Sequence, residues 1–244
     1  MPCPPASIAW PDGPIDAISP GSATLCASQA TRNTMHPTRL RLASLFLLSA
    51  SAYFALVAGI LQWTRSDLDP VAIPLSPYLV GPGGAWLRSA YYAMALAILC
   101  MAVAGYRATM PASRSLLAAI LFGGAGLALP VVAVTELYLG TPHESAAQLI
   151  HGLAAQATFL WLSFAMLLVS GRWRRDPRLQ RGSATGVALA WLATAALWSM
   201  VFARSLPHGL MQKLTIALVL LWMCWAVRQL WRTTQDPADA QSAR

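Results

Sequence analysis

From residue 42 onward the chain is written in long apolar runs separated by short polar or charged breaks. Residues 42–64, 89–106, 115–135, 145–171 and 182–203 carry no Asp, Glu, Lys or Arg. At about 1.5 Å of helical rise per residue these runs approach or exceed the roughly 30 Å hydrocarbon core of a bilayer, the shortest of them (89–106) with help from snorkelling arginines at both ends. A sixth run, 209–231, is interrupted by Lys213 and Arg228. It spans if both cations reach the interfaces along their aliphatic stems. The pattern therefore predicts an all-α integral membrane protein, six transmembrane helices in one bundle. The predicted helices lie near 42–63, 89–106, 115–135, 145–170, 183–203 and 209–231. Gly123, Gly124, Gly126 and Pro130 mark the third helix as one that approaches its neighbours closely and bends. No repeat of transporter length and no inverted halves with matched broken helices are visible, which argues against a transporter of that design.

The flanks read differently. Residues 1–37 are rich in Pro, Ser, Ala and Thr without an apolar run, and are expected to be a disordered tail, as are residues 233–244. Met35, just before Arg39 and Arg41, offers an alternative translation start. Read from there, MHPTRLRLASLFLLSASA resembles a secretory signal with small residues Ala50 and Ala52 near a cut. The apolar run continues through Val57, Ile60 and Leu61, longer than a signal needs, so a retained first helix is the favoured reading.

Composition agrees: 57% of residues are hydrophobic and 11% charged, with a mean hydropathy of +0.52. Soluble domains carry about 45 to 50% and 25%. A net charge of +8 and a pI near 9.9 could suggest nucleic acid. The cations instead cluster between apolar runs, where membrane topology places them, so no nucleic-acid partner is expected. Counting Arg and Lys on alternate sides gives twelve on one (Arg32, Arg39, Arg41, Arg107, Arg114, Arg172, Arg174, Arg175, Arg178, Arg181, Arg228, Arg232) against four on the other (Arg65, Arg88, Arg204, Lys213). By the positive-inside rule both termini are cytoplasmic. Trp63, Trp86 and Tyr138 then mark the outer interface, and Tyr106, Trp173 and Trp231 the inner one. Sixteen arginines against one lysine is a composition typical of GC-rich bacterial genomes, which places the chain in a bacterial inner membrane. Cys3 and Cys26 fall in the tail, and Cys100 and Cys224 in apolar runs where they are expected to act as small buried hydrophobes.

Most of the ionisable chemistry collects on the outer side: His143, His151 and His208 with Glu136, Glu144, Asp67 and Asp69. Gln148, His151, Ala155 and Thr158 share one face of the fourth helix, and His208, Gln212 and Thr215 one face of the sixth. Glu136, His143, Gln148, His151, His208 and Gln212 are thus candidates for a polar pocket at the outer face. A plainer reading is that these groups sit at headgroup level, with Pro142 and Glu144 simply starting a helix. Three histidines with glutamates could ligate zinc, but HExxH spacing is absent, and haem would want facing axial ligands deeper in the bundle. No GxSxG elbow is present. No cofactor is expected. The loop 64–88 holds Pro70, Pro74, Pro77, Pro82, Gly81, Gly83 and Gly84, which forbid a regular helix, while its Val71, Ile73, Leu75, Leu79 and Val80 favour a cap packed on the bundle over disorder. The segment RWRRDPRLQR (172–181) fixes topology and can bind anionic headgroups.

A Ser-Pro and Gly-rich first outer loop (Ser76, Pro77, Gly81, Gly83, Trp86) is followed by a helix opening on Tyr91 and Tyr92. Glu136 ends the third helix, and a His-x-x-Ala-Ala start, His151 to Ala155, opens the fourth. In this order of features, over about Arg39 to Arg232, the chain resembles a six-helix bacterial membrane family catalogued as domain of unknown function 998. SPYLVGPGG lacks an acidic residue of that family's pattern, and TELYLG stands where a Pro-Thr-Asp type segment is usual. The resemblance implies a six-pass fold and carries over no functional residues. Three functions remain expected: a non-enzymatic lipid or small-molecule binding protein, a metal-dependent membrane enzyme using the outer histidines, and a structural subunit of a membrane complex. Their partners are membrane lipids, a small-molecule ligand or another membrane protein.

Overall fold

The computed structural model describes residues 36–203 and 205–235. The tail with Cys3, Cys26 and Met35, the residue Arg204 and the segment 236–244 lie outside the described residues. Six helices follow one another: α1 (Pro37–Thr64), α2 (Gly84–Ala108), α3 (Leu116–Thr135), α4 (Glu144–Trp173), α5 (Ser183–Phe202) and α6 (His208–Arg232). Short 3-10 turns sit at Ser76–Leu79, Pro111–Ser113 and Glu136–Tyr138, and no strand forms among the described residues. All six helices are long and apolar enough to cross a membrane.

Local chemistry sets the helix ends. α1 begins at Pro37, before the apolar run, because proline is tolerated in a first turn and the His36 imidazole accepts from the Thr38 N–H at 3.4 Å. α2 begins at Gly84, earlier than Ser89, with Gly83 before it at φ +77°. The positive φ favours glycine here, and a Cβ would also displace the Leu61 methyl that lies 2.5 Å from its position. Ser115 caps α3 by accepting from the Ala118 N–H at 3.3 Å.

Each helix packs on the next, and α1 also packs on α6, closing the bundle into a ring in chain order. Arg41 fastens the closure by donating to the Thr234 hydroxyl and carbonyl, each at 3.2 Å. The first helix is therefore an integral stave of the bundle. Of the small residues in α3, Gly124 lies against Trp161 of α4 and Gly126 against Leu99 of α2, whereas Gly123 faces open space.

The core differs along the bundle axis. At the arginine-rich end Phe122 stacks on Trp222 at 5.7 Å, Trp222 meets Trp225 at 5.6 Å, and Trp225 meets Trp173 at 5.4 Å. Each of the three indole N–H groups has a partner: Ser170 Oγ at 2.9 Å for Trp222, Thr109 Oγ1 at 2.8 Å for Trp173 and the Gly182 carbonyl at 3.0 Å for Trp225. Trp173, expected at the interface, is 1% exposed. Its indole is drawn inward because Thr109 supplies the hydrogen bond that an interfacial tryptophan would take from water. Cys224 is exposed on the bundle surface and Cys100 half-buried, so neither is a core residue in full; both are free thiols.

Asp176 is fully buried just beyond α4. Its carboxylate accepts from the Met110 N–H at 2.8 Å and the Arg178 N–H at 3.0 Å, and the Arg178 guanidinium donates onward to the Ala108 carbonyl at 2.8 Å. This ties the α2 to α3 turn to the α4 to α5 turn. Gln229 adds α6 by donating to the Arg181 carbonyl at 2.8 Å.

Candidate functional site

At the opposite end the centre of the ring is open. A cavity with about 660 Å³ of atom-free space, part of it continuous with the surroundings, is walled by α1, α2, α3, α4 and α6. Phe54, Met94, Ile98, Phe159, Leu162 and Val219 form most of the apolar wall. Ser76, Tyr91, His151, Thr158 and Gln212 supply its polar atoms. No Asp, Glu, Lys or Arg lines it. A mostly apolar wall carrying a few polar groups is the lining pattern of a small-molecule site.

The loop between α1 and α2 roofs this end. Gln212 Oε1 accepts from the Leu75 N–H at 2.7 Å, and the first turn of α6 donates Gly209 N–H to Ala72 O at 3.2 Å and Leu210 N–H to Val71 O at 2.9 Å. Lys213 donates to the Pro70 carbonyl, and Arg88 to the Leu79 carbonyl. A Cβ on Gly209 would lie 2.4 Å from the Ile73 carbonyl oxygen, so this close approach requires glycine. Tyr78 is fully buried beneath the loop, with Lys213 Nζ 5.3 Å and the Arg65 guanidinium 6.0 Å from its ring centre. Burial pushes the Tyr78 phenol above its ordinary range, which keeps the hydroxyl protonated as it donates to the Leu68 carbonyl at 3.4 Å. Arg65 clamps Asp67 through two 2.8 Å hydrogen bonds and donates to Val80 O at 2.7 Å. The hydrogen bond from Arg65 holds the Asp67 carboxyl below its ordinary value.

His151 stands one to two turns into α4, on the cavity wall and facing the end of α3. Its Nδ1 lies 3.2 Å from both the Val132 carbonyl and the Thr135 hydroxyl. A carbonyl only accepts, so Nδ1 carries the proton and donates to a carbonyl in the last turn of α3 that also accepts from the Thr135 hydroxyl at 3.2 Å. Nε2 then faces Glu136 Oε1 at 3.3 Å. Glu136 is buried, and its side chain also borders a second, smaller cleft of about 250 Å³ with Thr135, Leu139, Ala147 and Gln148. His151 is shared by the cleft and the main cavity.

The six residues singled out from the sequence thus divide. Glu136 and His151 form a pair, Gln148 is exposed at the rim of their cleft, and Gln212 reaches the cavity from α6 while anchoring the roof. His143 and His208 are exposed at the starts of α4 and α6, outside the cavity. Among the described residues no group of three or more His, Cys, Asp or Glu is placed to hold a metal ion. Of the loop residues, Ser76 lines the cavity, Pro77 starts the 3-10 turn, and Gly81 and Gly83 shape the return at positive φ. Trp86, the last of the residues singled out in the expected capping loop, is in the first turn of α2, 67% exposed and not among the residues lining the cavity. Tyr91, Met94 and Ile98 were not singled out as a wall, although their spacing puts them on one face of α2.

Six membrane-spanning helices in a closed ring, with an aromatic cluster at one end and a roofed, mostly apolar cavity at the other, define a multi-pass membrane protein with an internal cavity. The chain belongs to the family described as protein of unknown function (DUF998), whose model matches residues 48–229. Comparison with curated proteins and with solved structures returned no significant match.

Proposed function

We propose that this protein is a non-enzymatic binding protein of the bacterial inner membrane that holds a lipid or other small apolar molecule in the cavity beneath the α1 to α2 loop. The observation that carries this reading is the cavity itself: a space among Phe54, Met94, Phe159, Leu162 and Val219 that opens in part to the surroundings, about 660 Å³ with that outer part included. Leaving such a wall without contacts forfeits dispersion energy that a bound apolar molecule restores. The arginine-rich end faces the cytosol in this reading, and the cavity the outer leaflet, on the twelve-to-four cation bias.

Gently purified protein is expected to carry one tightly held non-protein molecule in native mass spectrometry. Ala155→Phe, which puts a ring into the cavity, is expected to lose it while still folding. Retention of the same mass by that variant would place the molecule on the outer surface and refute the reading. Orientation has its own test: alkaline phosphatase fused after Glu144 is expected to be active and after Asp176 inactive, and the reverse pattern would invert the topology.

A further inference from the structure

Three polar groups on the cavity wall have hydrogen-bonding capacity that the described residues do not use. Tyr91 is 6% exposed, and no hydrogen bond is made by its hydroxyl. Gln212 spends its carbonyl on Leu75, which leaves the amide N–H₂ without a partner, and the Ser76 hydroxyl is likewise unpaired. Tyr91 is buried and Ser76 and Gln212 are half-buried on a wall that is otherwise mostly apolar, so an occupant with a matching polar atom gains hydrogen bonds from all three. The chemistry of that occupant follows from the donor that cannot change roles. An amide N–H₂ only donates, and the two hydroxyls can donate, so an oxygen acceptor serves all three; a carbonyl does so without bringing a donor that needs a partner of its own, whereas an ammonium head, which only donates, would leave Gln212 unsatisfied.

Charge narrows the class further. Val132 O fixes the His151 proton on Nδ1, so a hydrogen bond between Nε2 and Glu136 Oε1 requires one further proton on that line. With that proton the pair sums to zero charge and without it to a negative one, so in neither case does it offer a net positive charge. The other titratable groups of the neighbouring elements do not alter this: Tyr91 on α2 is a phenol, Glu144 on α4 is engaged by Gln148 and the Gly140 N–H, and His143 is exposed. Lys213 on α6 is turned to Pro70, and α1 contributes only Phe54. A carboxylate or phosphate entering this cavity would meet donors but no compensating positive charge, and stripping an ion of water without a counter-charge costs several kcal/mol.

We infer that the cavity takes an uncharged, apolar-tailed molecule with a carbonyl oxygen at its head, the carbonyl received by Tyr91, Gln212 and Ser76 and the tail lying along Ile98, Phe159 and Leu162. This rests on the binding reading above and adds the head-group chemistry. Three photoactivatable probes with the same diazirine-bearing dodecyl tail separate the two: a methyl ester, the matching carboxylate held well above its pKa, and the plain hydrocarbon. Applied to the full-length protein in nanodiscs, the ester is expected to label Phe159 and Leu162 about tenfold more strongly than either of the others. Tyr91→Phe and Ser76→Ala are each expected to weaken ester labelling about three- to tenfold and to leave hydrocarbon labelling and the unfolding midpoint unchanged, in line with one hydrogen bond apiece. Equal labelling of the cavity by ester and hydrocarbon, or by ester and carboxylate, would overturn the head-group inference while leaving cavity binding intact. Labelling by all three that is no stronger at Phe159 than at the outward-facing Leu210 would overturn both.

Discussion

The two ends of this bundle are built from the same kind of helix and finished in opposite ways. At the arginine-rich end the aromatic chain from Phe122 to Trp173 fills the centre of the ring, its indole N–H groups are paired, and Asp176 stitches two turns together. At the other end the helices of the same ring stand around open space, and polar atoms of Tyr91, Gln212 and Ser76 look into it without partners. The difference teaches that the opening is not a general looseness of the fold. One end shows how tightly this ring closes when side-chain volume is supplied, so the missing volume at the other end reads as room for something else.

That contrast can be broken from the sealed side first. Trp222→Ala removes a fully buried indole from the centre of the aromatic chain and is expected to cost about 3 to 5 kcal/mol in denaturant unfolding of the detergent-solubilised protein. Asp176→Ala strips the acceptor from two turn N–H groups and is expected to cost about 3 kcal/mol by the same measurement, a hydrogen bond to a charged group being worth about 1.5 to 3. On the hollow side the sign of the packing argument changes. Ala155→Leu adds volume where space exists and is expected to change stability by less than about 1 kcal/mol, whereas overpacking a filled core costs about 1 to 3. A large loss for Ala155→Leu together with a small one for Trp222→Ala would dissolve the asymmetry.

The smallest effect belongs to the roof. Because Arg65 holds the folded-state carboxyl of Asp67 below its unfolded value, the clamp is at full strength above about pH 4 and is lost as pH falls through the lower folded value. Hydrogen exchange of the Val71 to Val80 segment is expected to quicken slightly on acidification in the wild type. Asp67→Asn is expected to exchange at that quicker rate at neutral pH and to show less change on acidification. Identical profiles for the two proteins would remove the clamp from the account.

The fold was legible because crossing a bilayer imposes a single rule, backbone groups satisfied within a helix over about 20 apolar residues, and runs such as 115–135 obey it visibly. The site was legible in part. His151 and Glu136 stood out because ionisable residues inside apolar runs are rare, and Gln212 by its spacing from His208. Which of them meet depends on how the helices rotate in the ring, and no periodicity records that. Rotation buries Trp173 against Thr109, against what interfacial placement implied, and leaves Trp86 exposed and off the cavity wall. Tyr91 was hidden for the same reason: its hydroxyl matters because of what surrounds it, five other walls of the cavity drawn from distant parts of the chain.

The most direct test of the hollow end is an experimental density map of the protein in a lipid nanodisc, obtained without added ligand. The account predicts elongated non-protein density inside the ring, with its polar end within hydrogen-bond reach of Tyr91 and Gln212 and its tail against Phe159 and Leu162. A ring closed at that level by its own side chains, as Phe122 and Trp222 close the other end, would contradict it.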